Sequence, residues 1–176
     1  MHDPFEICPQ VFNDSEIEFI KECGHSSNST EQTGVLTRTK ISVGLPPMLE
    51  NKLRKVVENS SYYKWFNLLS PTRFEKYVLS QYNVGQSFKV HHDVSQNELL
   101  SDSSNDRKIS IITLLDDHYE GGEFFMHDVG LDDPCLITLK PGDVLLFPSF
   151  VEHSMNAITS GQRVSLTTWV LGPRWC

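Results

Sequence analysis

From Phe74 onward the chain breaks into short β-branched or aromatic runs separated by turn residues, and this rhythm limits what it can fold into. The runs cover 74–84, 87–93, 108–115, 122–127, 135–139, 143–147, 151–158 and 162–170. Gly121-Gly122, Asp132-Asp133-Pro134 and Pro141-Gly142-Asp143 punctuate them, each a combination that reverses a strand rather than extending it. About eight strands in roughly 100 residues predict a sandwich or barrel. A double-stranded β-helix, or jelly roll, has that strand count.

The first 70 residues read differently. Asn13 followed by Glu16 has the pattern of a capping box, and Ile17, Ile20 and Cys23 form an apolar stripe ending at Gly24. A second helix is expected to start at Pro46-Pro47, with Leu49, Leu53, Val56 and Val57 on one face. His25 to Gly34 is rich in Ser, Asn and Thr and reads as a loop. The expectation is therefore one domain over 1–176, mainly β with N-terminal supporting helices. Residues 1–70 are read as mainly helical support and substrate wall, and 71–176 as a jelly-roll core. At 176 residues the chain is long enough to bury such a core.

Composition removes several function classes. A net charge of −8 speaks against a general nucleic-acid binder, which needs a basic surface, although a local basic groove can sit in an acidic chain. No apolar run approaches the length of a membrane span. The opening Met1-His2-Asp3-Pro4-Phe5 lacks the basic and apolar regions of a secretory signal. Cys8, Cys23, Cys135 and Cys176 are scattered, which fits reduced thiols better than disulfides or zinc. A cytoplasmic protein with neither nucleic acid nor membrane as partner is expected. Oligomeric state leaves no mark in the sequence.

The chemistry-bearing residues lie on the predicted strands. With 7 His and 23 acidic residues in 176 positions, an H-x-D/E triplet arises by chance about once, and there are two here, His91-x-Asp93 and His118-x-Glu120. The second precedes Gly121-Gly122 in what reads as a turn, where the two side chains need not share a face. The first lies in a strand, where a period of two puts His91 and Asp93 on one side and His92 on the other. His153 follows the turn-strand unit Pro141 to Pro148, which would deliver it to a barrel mouth. Two His and one carboxylate with other positions open is the ligand set of non-haem Fe(II) oxygenases. His2, His25, His118 and His127 are better read as ordinary structural or surface imidazoles.

Arg163 and Ser165 share one face of the next strand. A guanidinium inside a barrel is costly unless it is paired. An internal Asp or Glu would pair it, and so would the carboxylate of a ligand held in two-point fashion.

The series Tyr82, Gly85, Phe88, His91-x-Asp93, Arg107, Gly121-Gly122-Glu123, Pro141-Gly142-Asp143, Phe147, His153, Gly161-x-Arg163 and Trp169 resembles the Fe(II)/2-oxoglutarate-dependent dioxygenases. It is most similar to their prolyl 4-hydroxylase-like branch, from about residue 74 to Pro173. By that resemblance His91, Asp93 and His153 bind Fe(II), and Arg163 binds the distal carboxylate of the co-substrate 2-oxoglutarate. Tyr82 and Ser165 are then its hydroxyl partners, and Trp169 lies beside the pocket. Ascorbate is a further candidate cofactor. One departure stands out: many relatives carry a tyrosine seven residues after the position of Arg107, where this chain has Leu114. Thr113 would face the other way in a regular strand.

The activity implied is hydroxylation of a prolyl residue in a protein or peptide by O2, coupled to decarboxylation of 2-oxoglutarate to succinate and CO2. The same site would serve oxidation of a free amino acid or another small molecule. A non-catalytic jelly-roll binding module is the reading from another class, and it would need neither the His/Asp/His set nor an inward Arg. A cupin with a structural metal is a third, against which the Arg163-x-Ser165 pair argues. The polar segment Val94 to Asp106 is expected to act as a mobile lid near the metal. Thr33–Val43, with Arg38 and Lys40, is expected to form the opposite wall.

Overall fold

The computed structural model describes residues 4–25, 30–33, 38–94, 105–127 and 134–174. Its elements run β1 (Glu6–Cys8), α1 (Asp14–His25), β2 (Thr30–Thr33), β3 (Arg38–Val43), α2 (Pro47–Asn59), α3 (Ser61–Trp65), β4 (Arg73–Phe74), β5 (Tyr77–Tyr82), β6 (Phe88–His91) and β7 (Asn105–Leu114). They continue with β8 (Tyr119–Gly121), β9 (Phe124–Met126), β10 (Cys135–Ile137), β11 (Val144–Pro148), β12 (His153–Met155), β13 (Ile158–Gly161) and β14 (Arg163–Pro173). Each of the eight predicted runs contains a strand.

Strands β1-β11-β7-β14-β5-β3-β2 form the larger sheet in that order, with β4 also paired to β14. The smaller sheet is β10-β9-β12-β6, and β13-β8 is a separate ribbon. All strand pairings within these sheets are antiparallel. This is the jelly roll anticipated, with helices packed on one side.

The period-two alternation divides the larger sheet into two faces. On β14, Val164, Leu166 and Val170 join Leu79, Ile109, Ile111, Val144 and Leu146 from neighbouring strands in the core under the helices. The opposite face of the same strands sends Tyr82, Ile112, Leu145 and Phe147 into a second core, shared with Phe124, Met126, Ile137 and Met155 of the smaller sheet. Arg163, Ser165, Thr167 and Trp169 lie on this inner face. The functional residues are thus interleaved with the packing of both layers.

The helices hold the outer face. Asn13 Oδ1 accepts from the Glu16 N–H and Glu16 Oε2 accepts from the Asn13 N–H, both at 3.0 Å, which closes the capping box. α2 starts with Pro47 in its first turn and buries Leu49, Leu53 and Val57. Each such side chain contributes about 1.5–3 kcal/mol on burial. Among the described residues no helix is long and apolar enough to cross a membrane, and Cys8, Cys23 and Cys135 are free thiols.

The N-terminal part departs from its reading as helix and loop by supplying β1, β2 and β3 to the larger sheet. The His25–Gly34 segment, read as a loop, contains β2, which pairs with β3 from Thr30↔Ile41 to Thr33↔Arg38. Polar composition masked it, since a strand needs neighbours more than it needs apolar residues. The expected lid falls largely on 95–104, which lie outside the described residues.

Candidate metal centre and carboxylate pocket

Strand pairing brings the candidate ligands together. β6 ends at His91, β12 begins at His153, and their register sets these two residues directly opposite each other. Asp93 follows two residues later, fixed by its backbone N–H donating to the Ser149 carbonyl at 2.9 Å. One donor atom from each of the three lies within 4.8 Å of the others. His91 Nε2 is 3.8 Å from Asp93 Oδ1, and His153 Nε2 is 3.8 Å from Oδ2.

The outward nitrogens decide the tautomers. His91 Nδ1 lies 2.8 Å from the Lys89 carbonyl, and His153 Nδ1 lies 3.0 Å from the Val151 carbonyl. A carbonyl only accepts, so each Nδ1 carries the proton and each Nε2 turns a lone pair inward. Burial, with the facing His153 charge, pushes His91 down to about 4. Burial also pushes His153 below the usual imidazole range, against the pull of Asp93. For Asp93 burial alone would raise the pKa. The facing His153, a 2.6 Å hydrogen bond from Ser110 Oγ and the nearby Trp169 indole more than offset it, holding the carboxyl low. Two neutral imidazoles and one carboxylate at neutral pH are the protonation state a divalent cation requires.

His92 contributes no donor to this cluster and lines an outer cavity instead. His118 forms a second acidic group with Asp116 and Asp117, but its side chain is 91% exposed and bonds Asp116 at 3.0 Å.

Behind the triad an inner pocket is bounded by Tyr82, Arg163, Ser165 and Trp169, joined by Arg38 and Phe124. Register explains the grouping: β14 sets Arg163 opposite Tyr82 and Ser165 opposite Ser80 on β5. Arg163 is only 4% exposed, its Nη1 donates to Ser165 Oγ at 3.2 Å, and its Nε has no partner among the described residues. No carboxylate pairs with it among those residues. A buried, half-satisfied guanidinium is costly by itself and suits a carboxylate ligand. Leu114 sits buried opposite Ser165, while Thr113 pairs with Leu166 and faces away.

Three contributors have no role at the metal site in the sequence reading: Arg38 enters it only as part of the opposite wall, Ser110 not at all, and Arg107 only as part of the family series. Arg38 reaches in from β3, donating Nη1 to the Tyr82 hydroxyl at 2.6 Å with its guanidinium 4.4 Å from the Phe88 ring. Ser110 anchors Asp93 and lies 3.0 Å from Ser149 Oγ. Arg107 stacks 3.7 Å over the Trp169 ring, pairs with Glu75 at 2.5 and 2.7 Å, and donates to the Asp93 carbonyl at 3.3 Å. A lone serine in the apolar run Ile109-Ser110-Ile111-Ile112 was the available signal for the second.

Comparison with known proteins now defines the class. The family model of the 2OG-Fe(II) oxygenase superfamily matches residues 77–171, and the chain belongs to that superfamily. Fe(II) and 2-oxoglutarate are the family's cofactor and co-substrate, and both fit the donor set and the buried cation described above. A PKHD-type hydroxylase from Psychrobacter sp. (strain PRwf-1) is 34% identical over 96 residues, 53% of this chain and 36% of that protein. The chain spans about a third to a half of the length of the curated relatives it matches. A viral collagen prolyl hydroxylase from Paramecium Bursaria Chlorella virus-1 has a similar structure, with a TM-score of 0.70, 15% identity and 97% of each chain covered. A prolyl-4-hydroxylase from Pseudomonas putida superposes with a TM-score of 0.67 at 16% identity, over 99% of this chain and 94% of that one. These two likenesses are of fold.

Proposed function

We propose that residues 1–176 form a single catalytic domain that hydroxylates a prolyl residue in a protein or peptide, with decarboxylation of 2-oxoglutarate to succinate and CO2. In this reading His91, Asp93 and His153 hold Fe(II). Arg163 takes the distal carboxylate of 2-oxoglutarate with Ser165, while Tyr82 and Trp169 close the pocket. When bound, the iron and 2-oxoglutarate supply the oxidising chemistry with O2, and ascorbate is assigned only as an accessory reductant. The chain's own residues orient and shield. Both Nδ1–H groups fix the imidazoles, Ser110 fixes the carboxylate, and the two packed sheets bury His153 and Arg163.

The observation that carries this reading is the buried Arg163, without a carboxylate partner among the described residues, on the same inner face that borders the His/Asp/His cluster. Neither a non-catalytic jelly-roll module nor a structural-metal cupin requires that cation together with the His/Asp/His cluster. Support for a peptide comes from the outer cavity of about 320 Å³ that opens beside His91 and Asp93, walled on one side by β3. Succinate release and mass spectrometry on a panel of peptides, free amino acids and nucleosides test it. Proline-containing peptides are expected to stimulate turnover and gain one oxygen on proline. Oxidation of free amino acids or nucleosides but of no peptide would remove the prolyl assignment.

A further inference from the structure

We propose that the outer cavity selects a polypeptide with carboxylates flanking the residue that is oxidised, an inference that rests on the peptide-oxygenase reading above. The cavity is lined by Arg38, Lys40, Lys76 and Arg107, and among the described residues its only acid is the candidate ligand Asp93. That lining runs against the chain as a whole, which carries 23 acidic and 15 basic residues.

Strand geometry explains the convergence. Arg38, Lys40 and Ser42 alternate along β3 onto one face, and register pairs Lys40 with Ser80 and Ser42 with Val78 on β5. Lys76 continues the same parity two residues before Val78. Arg107 is matched by Glu75, so its charge is already answered. Arg38 and Lys76 have no carboxylate partner among the described residues. Arg38 instead bonds the Tyr82 hydroxyl, and its Nε is buried without a partner among the described residues. It also stands where the inner pocket meets the outer cavity, lining both. A cation held beside a divalent metal site is repelled unless anions lie between or around them.

The spacing favours a chain over a small acid. Lys40 lies two residues from Arg38, about 7 Å along the strand. One small dicarboxylate cannot offer a reacting carbon to the metal and also meet cations spread along the wall. An extended peptide repeats at the same rise, so carboxylates near the reacting residue reach Lys40 and Lys76 in turn. A nucleic acid would carry its charge on past the groove onto a surface that is net acidic, where repulsion opposes it.

Binding is measured by anisotropy on fluorescein-labelled peptides built on one proline-containing sequence, flanked by two Glu, two Gln or two Lys. A labelled single-stranded oligonucleotide and unlabelled glutarate serve as comparisons. Two partly solvated ion pairs at roughly five-fold each should make the Glu peptide bind about 25 times tighter than the Gln peptide, an advantage that shrinks with added salt. Lys40→Gln and Lys76→Gln should each cost about five-fold for the Glu peptide and leave the Gln peptide unaffected. Lys76→Glu should shift preference toward the Lys peptide, a gain that a misfolded variant cannot show. Equal binding of the three peptides, or equal loss for all of them in the variants, overturns the proposal. So does tighter binding of the oligonucleotide, or displacement of the Glu peptide by glutarate at equal concentration. The readout is independent of turnover. Charge-selective binding without hydroxylation would sink the peptide-oxygenase reading, whereas hydroxylation blind to flanking charge would sink only this one.

Discussion

Replacing Arg163 with Met separates a ligand-binding cation from a structural one, because the two roles predict opposite changes in stability. In the protein without co-substrate, Arg163 is buried with Nη1 on Ser165 and Nε unpartnered. Exchanging a poorly compensated buried charge for an apolar side chain of similar length stabilises by about 1–4 kcal/mol. The Ser165 bond argues for the lower part of that range, about 1–2 kcal/mol. For a chain of this size each kcal/mol moves the midpoint by about 2–4 °C, so the apo Met variant should melt roughly 2–8 °C higher. Co-substrate reverses the order. In wild type with Mn(II), 2-oxoglutarate at 100 times its Kd adds about 2.7 kcal/mol. Removing one partner of a buried charge pair costs about 2–5 kcal/mol, roughly a 30-fold to several-thousand-fold loss of affinity. The shift in the variant should therefore fall from about 2.7 kcal/mol to at most about 0.9 kcal/mol at that concentration, and to almost nothing at the upper end of the loss. Differential scanning calorimetry with and without 2-oxoglutarate reads both effects. An apo variant destabilised by several kcal/mol that still responds to 2-oxoglutarate would mean an internal acid pairs Arg163.

Ser110→Ala removes the 2.6 Å bond to Asp93 Oδ2 and should weaken metal affinity about 10- to 100-fold, measured by competition with a chelating dye. Both imidazoles have folded pKa values below their unfolded ones, so the unfolded state binds more protons and apo stability falls as pH drops from about 6.5 toward 4. Urea titrations across that interval, repeated with saturating Mn(II), check the sign: metal should raise stability most at the upper end, where the imidazoles are neutral in both states. Gly142→Ala should be strongly destabilising, because φ is +88° and a Cβ there would lie 2.1 Å from the Phe12 carbonyl oxygen. A melting point within a degree or two of wild type would contradict that.

What was legible in the sequence was whatever local pattern dictates. The capping box of α1, the Pro start of α2 and the eight strand-bearing runs follow from short-range chemistry. The period-two argument that sets His91 and Asp93 apart from His92 is local too, but β6 ends at His91, and it is the backbone bond to Ser149 that places Asp93. What was not legible depended on partners far along the chain. β3 went unread because its inner face carries Arg38, Lys40 and Ser42, so the apolar alternation that marks a strand survives only at Ile41 and Val43. The pairing of His153 with His91 is a cross-strand register, set by residues about 60 positions apart. Arg38 bonding to Tyr82 belongs to the same class, as does Arg107 bracing Trp169 and Asp93. Each is visible only once β3, β7 and β14 lie in one sheet.

The central claim is that His91, Asp93 and His153 bind one divalent metal on which 2-oxoglutarate binding depends. Anaerobic titration of the apo protein with Fe(II), followed by desalting and metal analysis, tests it most directly when wild type and Asp93→Ala are run together. Wild type should retain one equivalent and bind 2-oxoglutarate only in its presence. The variant, with one of three ligands and its charge removed, should retain no stoichiometric iron. A variant that keeps one equivalent, or a wild type whose metal is lost only when Asp116 and His118 are replaced, would contradict the account.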